Sequence, residues 1–288
     1  MRVNTHILSL ILAVILWGSS LIGTKTALQF FGPLSLCLAR FVVSSVLLVL
    51  LRLKKGFVKP SGKDLKYILL SSMIGITLYY ALENYGVSLT TASAASLITA
   101  AYPIITILIG LIFFKERTSK RMALGIVLGV LGVMMLSFSG SGETQEMMWA
   151  GNSILIINGI LWALYNYITQ KISDDCDSFT VTYIQILFGT ICFVPFALIE
   201  NSFPAVLTLP AVFSLLFLSA GCTVGALLLY NIGLRNVSAS LAASLLNLMP
   251  ISGVILSVVL LHESLSLIQI IGGIIILAGV MISTSRPE

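Results

Sequence analysis

The chain is a succession of apolar runs, each about one membrane thickness long, separated by short polar breaks. A helix needs roughly 20 mostly apolar residues to cross the hydrocarbon core. On that measure ten spans are predicted, near 6–28, 34–53, 65–87, 91–114, 119–138, 149–170, 179–199, 210–233, 238–261 and 266–284. Pro33, Pro210 and clusters of Ser, Thr and Asn mark span starts. Pro103 and Pro250 fall inside spans four and nine, where a missing N–H and a bulky ring should kink or loosen the helix.

Polar positions within the spans recur at helical spacing. Span six carries Asn158, Trp162, Tyr165, Asn166 and Thr169 along one stripe. Span one carries Trp17, Ser20 and Thr24; span three Tyr80, Glu83 and Asn84; span four Ser93, Ser96 and Thr99. Span eight carries Thr223, Tyr230 and Asn231, and span nine Ser240, Ser244 and Asn247. Polar side chains are expensive in hydrocarbon and turn toward a bundle interior or a wet cavity. Small hydroxyl residues also serve close helix packing, but the Trp, Tyr and Asn of span six are too large for that and predict a cavity wall. Spans five and ten instead present glycines: Gly125, Gly129 and Gly132, then Gly272, Gly273 and Gly279. Those read as packing surfaces, within the chain or between protomers.

The two halves are one unit repeated. A shift of 147 residues lays Asn84–Ser137 on Asn231–Thr284 without a gap, and 13 of 54 positions are identical. Matches include Asn84/Asn231, Ala92-Ser93/Ala239-Ser240, Pro103/Pro250, Glu116/Glu263 and Gly132/Gly279. A shift of 145 lays Ile15-Leu16-Trp17 on Ile160-Leu161-Trp162. Five spans per half is an odd number, so the second half enters from the opposite side. The expected fold is an all-α polytopic membrane protein, with ten transmembrane helices in two inverted five-helix repeats. The repeats are 1–138 and 149–288, joined by a linker at 139–148. Inverted repeats are the architecture of secondary transporters, whose site lies at the repeat interface.

Composition agrees. The chain is 58% hydrophobic and 9% charged, with mean hydropathy +1.06, against about 25% charged in soluble domains. Of 16 Lys and Arg, 14 fall in segments on one side of the ten-span scheme and none in loops on the other; Lys25 and Arg40 lie within spans. The basic side is the cytoplasmic one. This places both termini in the cytoplasm, in the plasma (inner) membrane, with the first span uncleaved. It also accounts for the net charge of +5 without nucleic-acid binding. Cys37, Cys192 and Cys222 lie in spans and Cys176 in a loop, with no CxxC spacing, so no disulfide, metal or cofactor is expected.

Lys25, Arg40 and Glu83 are ionisable residues within spans, and such residues are functional candidates by default. Glu83 could exchange protons in competition with substrate, or serve as the fixed partner of Lys25 or Arg40. Both basic residues are also near enough to span ends to snorkel. Glu116 and Glu263 close spans four and nine and read as structural interface residues.

Trp17-Gly18-Ser19, Lys25, Pro33 and Arg40-Phe41 resemble the start of EamA-type members of the drug/metabolite transporter superfamily. So do Asn84-Tyr85-Gly86-Val87, Ala92-Ser93, Pro103, Glu116 and Gly125 to Gly132, repeated from Asn231 to Gly279. The resemblance spans essentially the whole chain. It implies export of small metabolites such as amino acids, with spans one, three, four, six, eight and nine around a central cavity. The expected function is a secondary transporter, an exporter working by alternating access. Substrate would bind among Trp17, Tyr80, Asn84, Trp162, Tyr165, Asn166, Tyr230, Asn231 and Asn247. Tyr and Trp offer amphipathic walls, and Asn both donates and accepts. The expected partners are a small-molecule substrate and the lipid bilayer. Proton coupling and either a monomer or a homodimer through spans five and ten remain open. The alternative is a channel, or a lipid-moving or structural membrane subunit. An enzyme is not expected: His6 and His262 are the only histidines, and no GxSxG or HExxH motif occurs.

Overall fold

The computed structural model describes residues 5–54, 57–113, 115, 119–137, 143–173, 175–234, 245 and 248–284. Among these residues every regular element is a helix. In chain order they are α1 (Thr5–Ala27), α2 (Pro33–Arg52), α3 (Gly62–Ser72), α4 (Tyr79–Leu89), α5 (Ala92–Ala100), α6 (Tyr102–Phe113) and α7 (Lys120–Ser137). There follow α8 (Glu143–Thr169), α9 (Ser178–Glu200), α10 (Leu209–Leu216), α11 (Ala226–Leu234), α12 (Leu248–Leu261) and α13 (Leu267–Thr284). Seven described stretches are long and apolar enough to cross a membrane, and Leu248–Leu261 and Leu267–Ile282 are shorter apolar helices.

Local sequence explains the helix ends. Pro33 opens α2, where its missing N–H costs nothing. Ser61, Thr91, Asp177 and Thr208 are N-caps whose side chains accept from the first-turn N–H groups. Pro103 breaks span four: α5 stops at Ala100 and α6 starts at Tyr102, because Pro103 has no N–H to return to Thr99. Helix α8 starts at Glu143, inside the stretch read as a linker, and Glu146 puts negative charge near its positive end.

Spans three and eight share a feature that periodicity did not reveal. Each contains a π-helical segment, Met73–Leu78 between α3 and α4 and Phe217–Gly225 between α10 and α11. The repeat shift of 147 lays 73–78 on 220–225, so the widened turn recurs in both halves. A π turn disturbs the i→i−4 ladder and leaves carbonyls for other partners, often at functional sites. Here Ser219 O accepts from Ser44 Oγ (3.3 Å), and Cys222 O accepts from Trp17 Nε1 (3.1 Å).

Packing obeys the repeat. Helix α1 packs on α11 as α8 packs on α4, and α1 packs on α12 as α8 packs on α6. The contacts between equivalent helices are α2 with α9 and α7 with α13, and α5 of span four packs on α12 of span nine. Corresponding helices run antiparallel. Along α2 and α9, Ser45 meets Thr190 (2.9 Å) and Arg52 meets Tyr183 (3.0 Å). Along α7 and α13, a Cβ on Gly132 would lie 2.7 Å from Gly272 O, and one on Gly279 would lie 2.7 Å from Gly125 O. The two glycine faces are therefore used against each other within the chain, allowing the backbones this close approach. Buried clusters centre on Ile98, Tyr102, Leu155 and Ile276, and on Phe41, Phe193 and Ile186. Large apolar residues such as Val46, Ile191, Ile199, Leu209 and Ile274 stay exposed, as expected of a surface solvated by lipid.

Candidate functional site

Two aromatic groups meet at the interface of the halves. Trp17 of α1 lies 5.1 Å from Tyr230 of α11. Its repeat equivalent, Trp162 of α8, lies 5.7 Å from Tyr79 of α4 and 5.7 Å from Tyr165. Each tryptophan thus packs on a tyrosine of the other half. Tyr79 also packs edge-on against Tyr80 (5.1 Å) and Tyr102 (6.4 Å). These are the offset and tilted geometries that ring quadrupoles favour. Trp162 is 37% exposed, whereas Tyr79 is 8% exposed. The indole is therefore a partly open face on a buried aromatic base.

Arg40 ties the second of these groups to the other half. Its guanidinium carbon sits 4.8 Å over the Tyr80 ring, a cation–π contact, and Nε donates to Thr223 Oγ1 (3.0 Å). Thr223 belongs to the π segment of the second half. Glu83 accepts from Tyr79 Oη (2.9 Å). Lys25 sits elsewhere: its ammonium donates to the carbonyls of Val87 (2.8 Å), Ser88 (3.2 Å) and Thr90 (2.5 Å). It thereby caps the negative C-terminal end of α4.

The remaining expected site residues are dispersed. Asn84 is buried toward α2, where Nδ2 donates to Pro33 O (2.9 Å) and Cys37 Sγ (3.1 Å). Asn166 Nδ2 donates to Trp162 O (2.7 Å) on its own helix. The Asn231 side chain and all of Asn247 lie outside the described residues, as do Ser240, Ser244 and Glu116. Sequence reasoning passed over Tyr79 and Tyr102; the Tyr79-Tyr80 doublet was the available signal, since adjacent helical positions can serve two neighbours.

One end of the bundle is held by carboxylates crossing between the halves. Glu263 accepts from Ala92 N (2.8 Å), Ser93 N (2.9 Å) and Ser93 Oγ, occupying the first turn of α5. Ser93 Oγ also meets Ser257 Oγ (2.6 Å). Glu200 accepts from Leu34 N (3.1 Å), Ser35 N (2.7 Å) and Ser35 Oγ (2.8 Å) at the start of α2. Anions at helix N-termini are stabilised by the free N–H groups and the helix dipole. His262, in the left-handed region with φ 54°, turns the chain out of α12 so that Glu263 can reach α5. Its repeat equivalent Lys115 has φ 53°.

Antiparallel repeats, exposed apolar helices and aromatic pairs drawn from both halves are features of a membrane transporter. The EamA-like transporter family matches this chain twice, over residues 4–138 and 149–285, and the chain belongs to that family. An "Uncharacterized transporter" of Archaeoglobus fulgidus is 31% identical over 291 residues, covering 100% of both chains. "Uncharacterized transporter YetK" of Bacillus subtilis is 29% identical, covering 97% of this chain and 87% of its own. A "Probable terminal-alkyne amino-acid exporter" of Streptantibioticus cattleyicolor is 24% identical, covering 99% of this chain and 95% of its own. One solved crystal structure superposes with a TM-score of 0.63 at 17% identity, covering 97% of this chain and 96% of that one. At that identity the likeness concerns the fold alone.

Proposed function

We propose that this protein is a secondary exporter of small amphipathic metabolites, amino acids among them, working by alternating access. The carrying observation is that each repeat's tryptophan packs on a tyrosine of the other repeat: Trp17 on Tyr230, and Trp162 on Tyr79, which in turn packs on Tyr80. A site shared between two antiparallel units changes its exposure when one unit rocks on the other. The amino-acid exporter among the relatives supports this substrate class. In this reading ten helices span the membrane as two inverted five-helix repeats, residues 1–138 and 149–288 joined at 139–148, and both termini are cytoplasmic. The Glu263 clamp on α5 then closes the outer end, and the break at Pro103 is a point of flexure.

The test is uptake into proteoliposomes of labelled amino acids, nucleosides and organic cations, with and without a pH gradient. Saturable flux and counterflow are expected. Conductance without saturation would instead mean a channel, and no flux of any compound would refute transport of this class. Flux driven by the gradient would mean proton antiport, with Glu83 the first residue to neutralise.

A further inference from the structure

Arg40 and Glu83 are buried within the bundle, 3% and 7% exposed, and each has an uncommitted edge. Arg40 uses Nε on Thr223 and its face on Tyr80. Its two terminal nitrogens find no hydrogen-bond acceptor among the described residues. A guanidinium carries five N–H donors, and leaving charged donors unpaired in a buried site is costly. Glu83 commits Oε1 to Tyr79, and its other oxygen likewise finds no donor among the described residues. Both side chains sit against the same tyrosine pair, Arg40 over the Tyr80 ring and Glu83 on the Tyr79 hydroxyl, and no hydrogen bond joins them to each other among the described residues.

The surroundings restrict what can complete them. With both groups ionised the pair is neutral as a whole, so a ligand bearing only one charge would leave an unbalanced charge in a low-dielectric site. A ligand bearing both signs preserves neutrality and fills both edges. A carboxylate suits the planar fork of a guanidinium, and an ammonium suits a carboxylate oxygen. Beside the pair, Tyr79, Tyr80 and Trp162 supply an aromatic wall for an apolar side chain.

Resting on the transport reading above, we infer that Arg40 and Glu83 form a zwitterion receptor: Arg40 takes the substrate's carboxylate and Glu83 its ammonium. Arg40 then reports substrate to both halves, because Thr223 lies in the π segment of the second repeat. Binding between the halves is what an alternating mechanism must sense.

The experiment uses the full chain in proteoliposomes with matched probes on leucine and phenylalanine skeletons. Each skeleton is offered as the amino acid, its carboxamide and its deaminated acid, as competitors of labelled amino-acid counterflow and as ligands in fluorescence titration. The wild type should prefer the amino acid to both analogues by about tenfold or more. Arg40→Gln should abolish the preference over the carboxamide alone, and Glu83→Gln the preference over the deaminated acid alone. Should Arg40→Gln not fold, Thr223→Val decides, since it unanchors the guanidinium and should weaken only the carboxylate-bearing probes. A wild type indifferent to the three forms, or variants that weaken all three equally, would overturn the receptor while leaving transport standing. No binding or flux of any probe would overturn the amino-acid reading and the receptor with it.

Discussion

Replacing Glu263 by glutamine tests whether this end of the bundle, the outer one in the proposed topology, is held by a carboxylate on a helix N-terminus. The carboxylate accepts two backbone N–H bonds, at 2.8 and 2.9 Å, and the Ser93 hydroxyl. Charge-assisted bonds contribute about 1.5–3 kcal/mol each. Glu263 is only half-buried, so screening reduces this. Glutamine keeps one acceptor but turns an amide NH2 toward the N–H groups of α5. A net loss of about 1–2 kcal/mol is expected, or about 5–30-fold in the ratio of closed to open outer ends. The assay uses a cysteine at Ser96, buried one turn deeper in α5, in a chain whose four native cysteines are replaced. An impermeant maleimide applied from outside should label it several-fold faster with Glu263→Gln than with Glu263 intact. Equal rates in both backgrounds, in protein of equal thermal stability, would refute the clamp.

Three further outcomes follow from the packing. Trp162→Ala should abolish transport while leaving folded yield intact, because the indole is partly open and its neighbours retain other contacts; unchanged transport would remove α8 from the site. Lys25→Met should lower thermal stability in detergent by about 2–4 kcal/mol by uncapping the carbonyls of α4, with Lys25→Arg restoring part; no shift would argue that the ammonium is fully hydrated. Gly132→Val should cost about 1–3 kcal/mol or prevent folding, since a Cβ there would lie 2.6 Å from Ile276 Cγ1, whereas Gly62→Ala meets nothing within 4 Å and should be neutral or mildly stabilising.

The repeat, the packing role of the glycines and some of the span limits were readable from sequence, because hydrophobic length and a 147-residue self-match are one-dimensional signals. The predicted start of α2 and end of α12 fall within a residue of those observed. Pro103 marked a weak point in span four, and the structure breaks the helix there. The candidate site was legible only in part. Trp162, Tyr165 and Tyr80 were visible as large polar residues in apolar helices; Trp162 packs on Tyr165 and Tyr79, and Tyr80 packs on Tyr79. Asn84 looked the same in sequence yet is spent on Pro33 and Cys37. A polar residue shows which face of its helix is polar, not which neighbour that face will meet.

By itself, the sequence determined a membrane-embedded, all-helical, duplicated chain of the transporter family, since those properties follow from run length, composition and internal identity. Tertiary structure alone decided how the charges are used. Lys25 caps one helix, Glu263 another, and Arg40 reaches Thr223 across 183 positions of chain. It also placed the paired π segments, which no period in the sequence announces. The physical reason is that a buried charge is satisfied by whichever partner the packing of antiparallel repeats brings within about 3 Å, and that proximity exists only once the two halves have closed on each other.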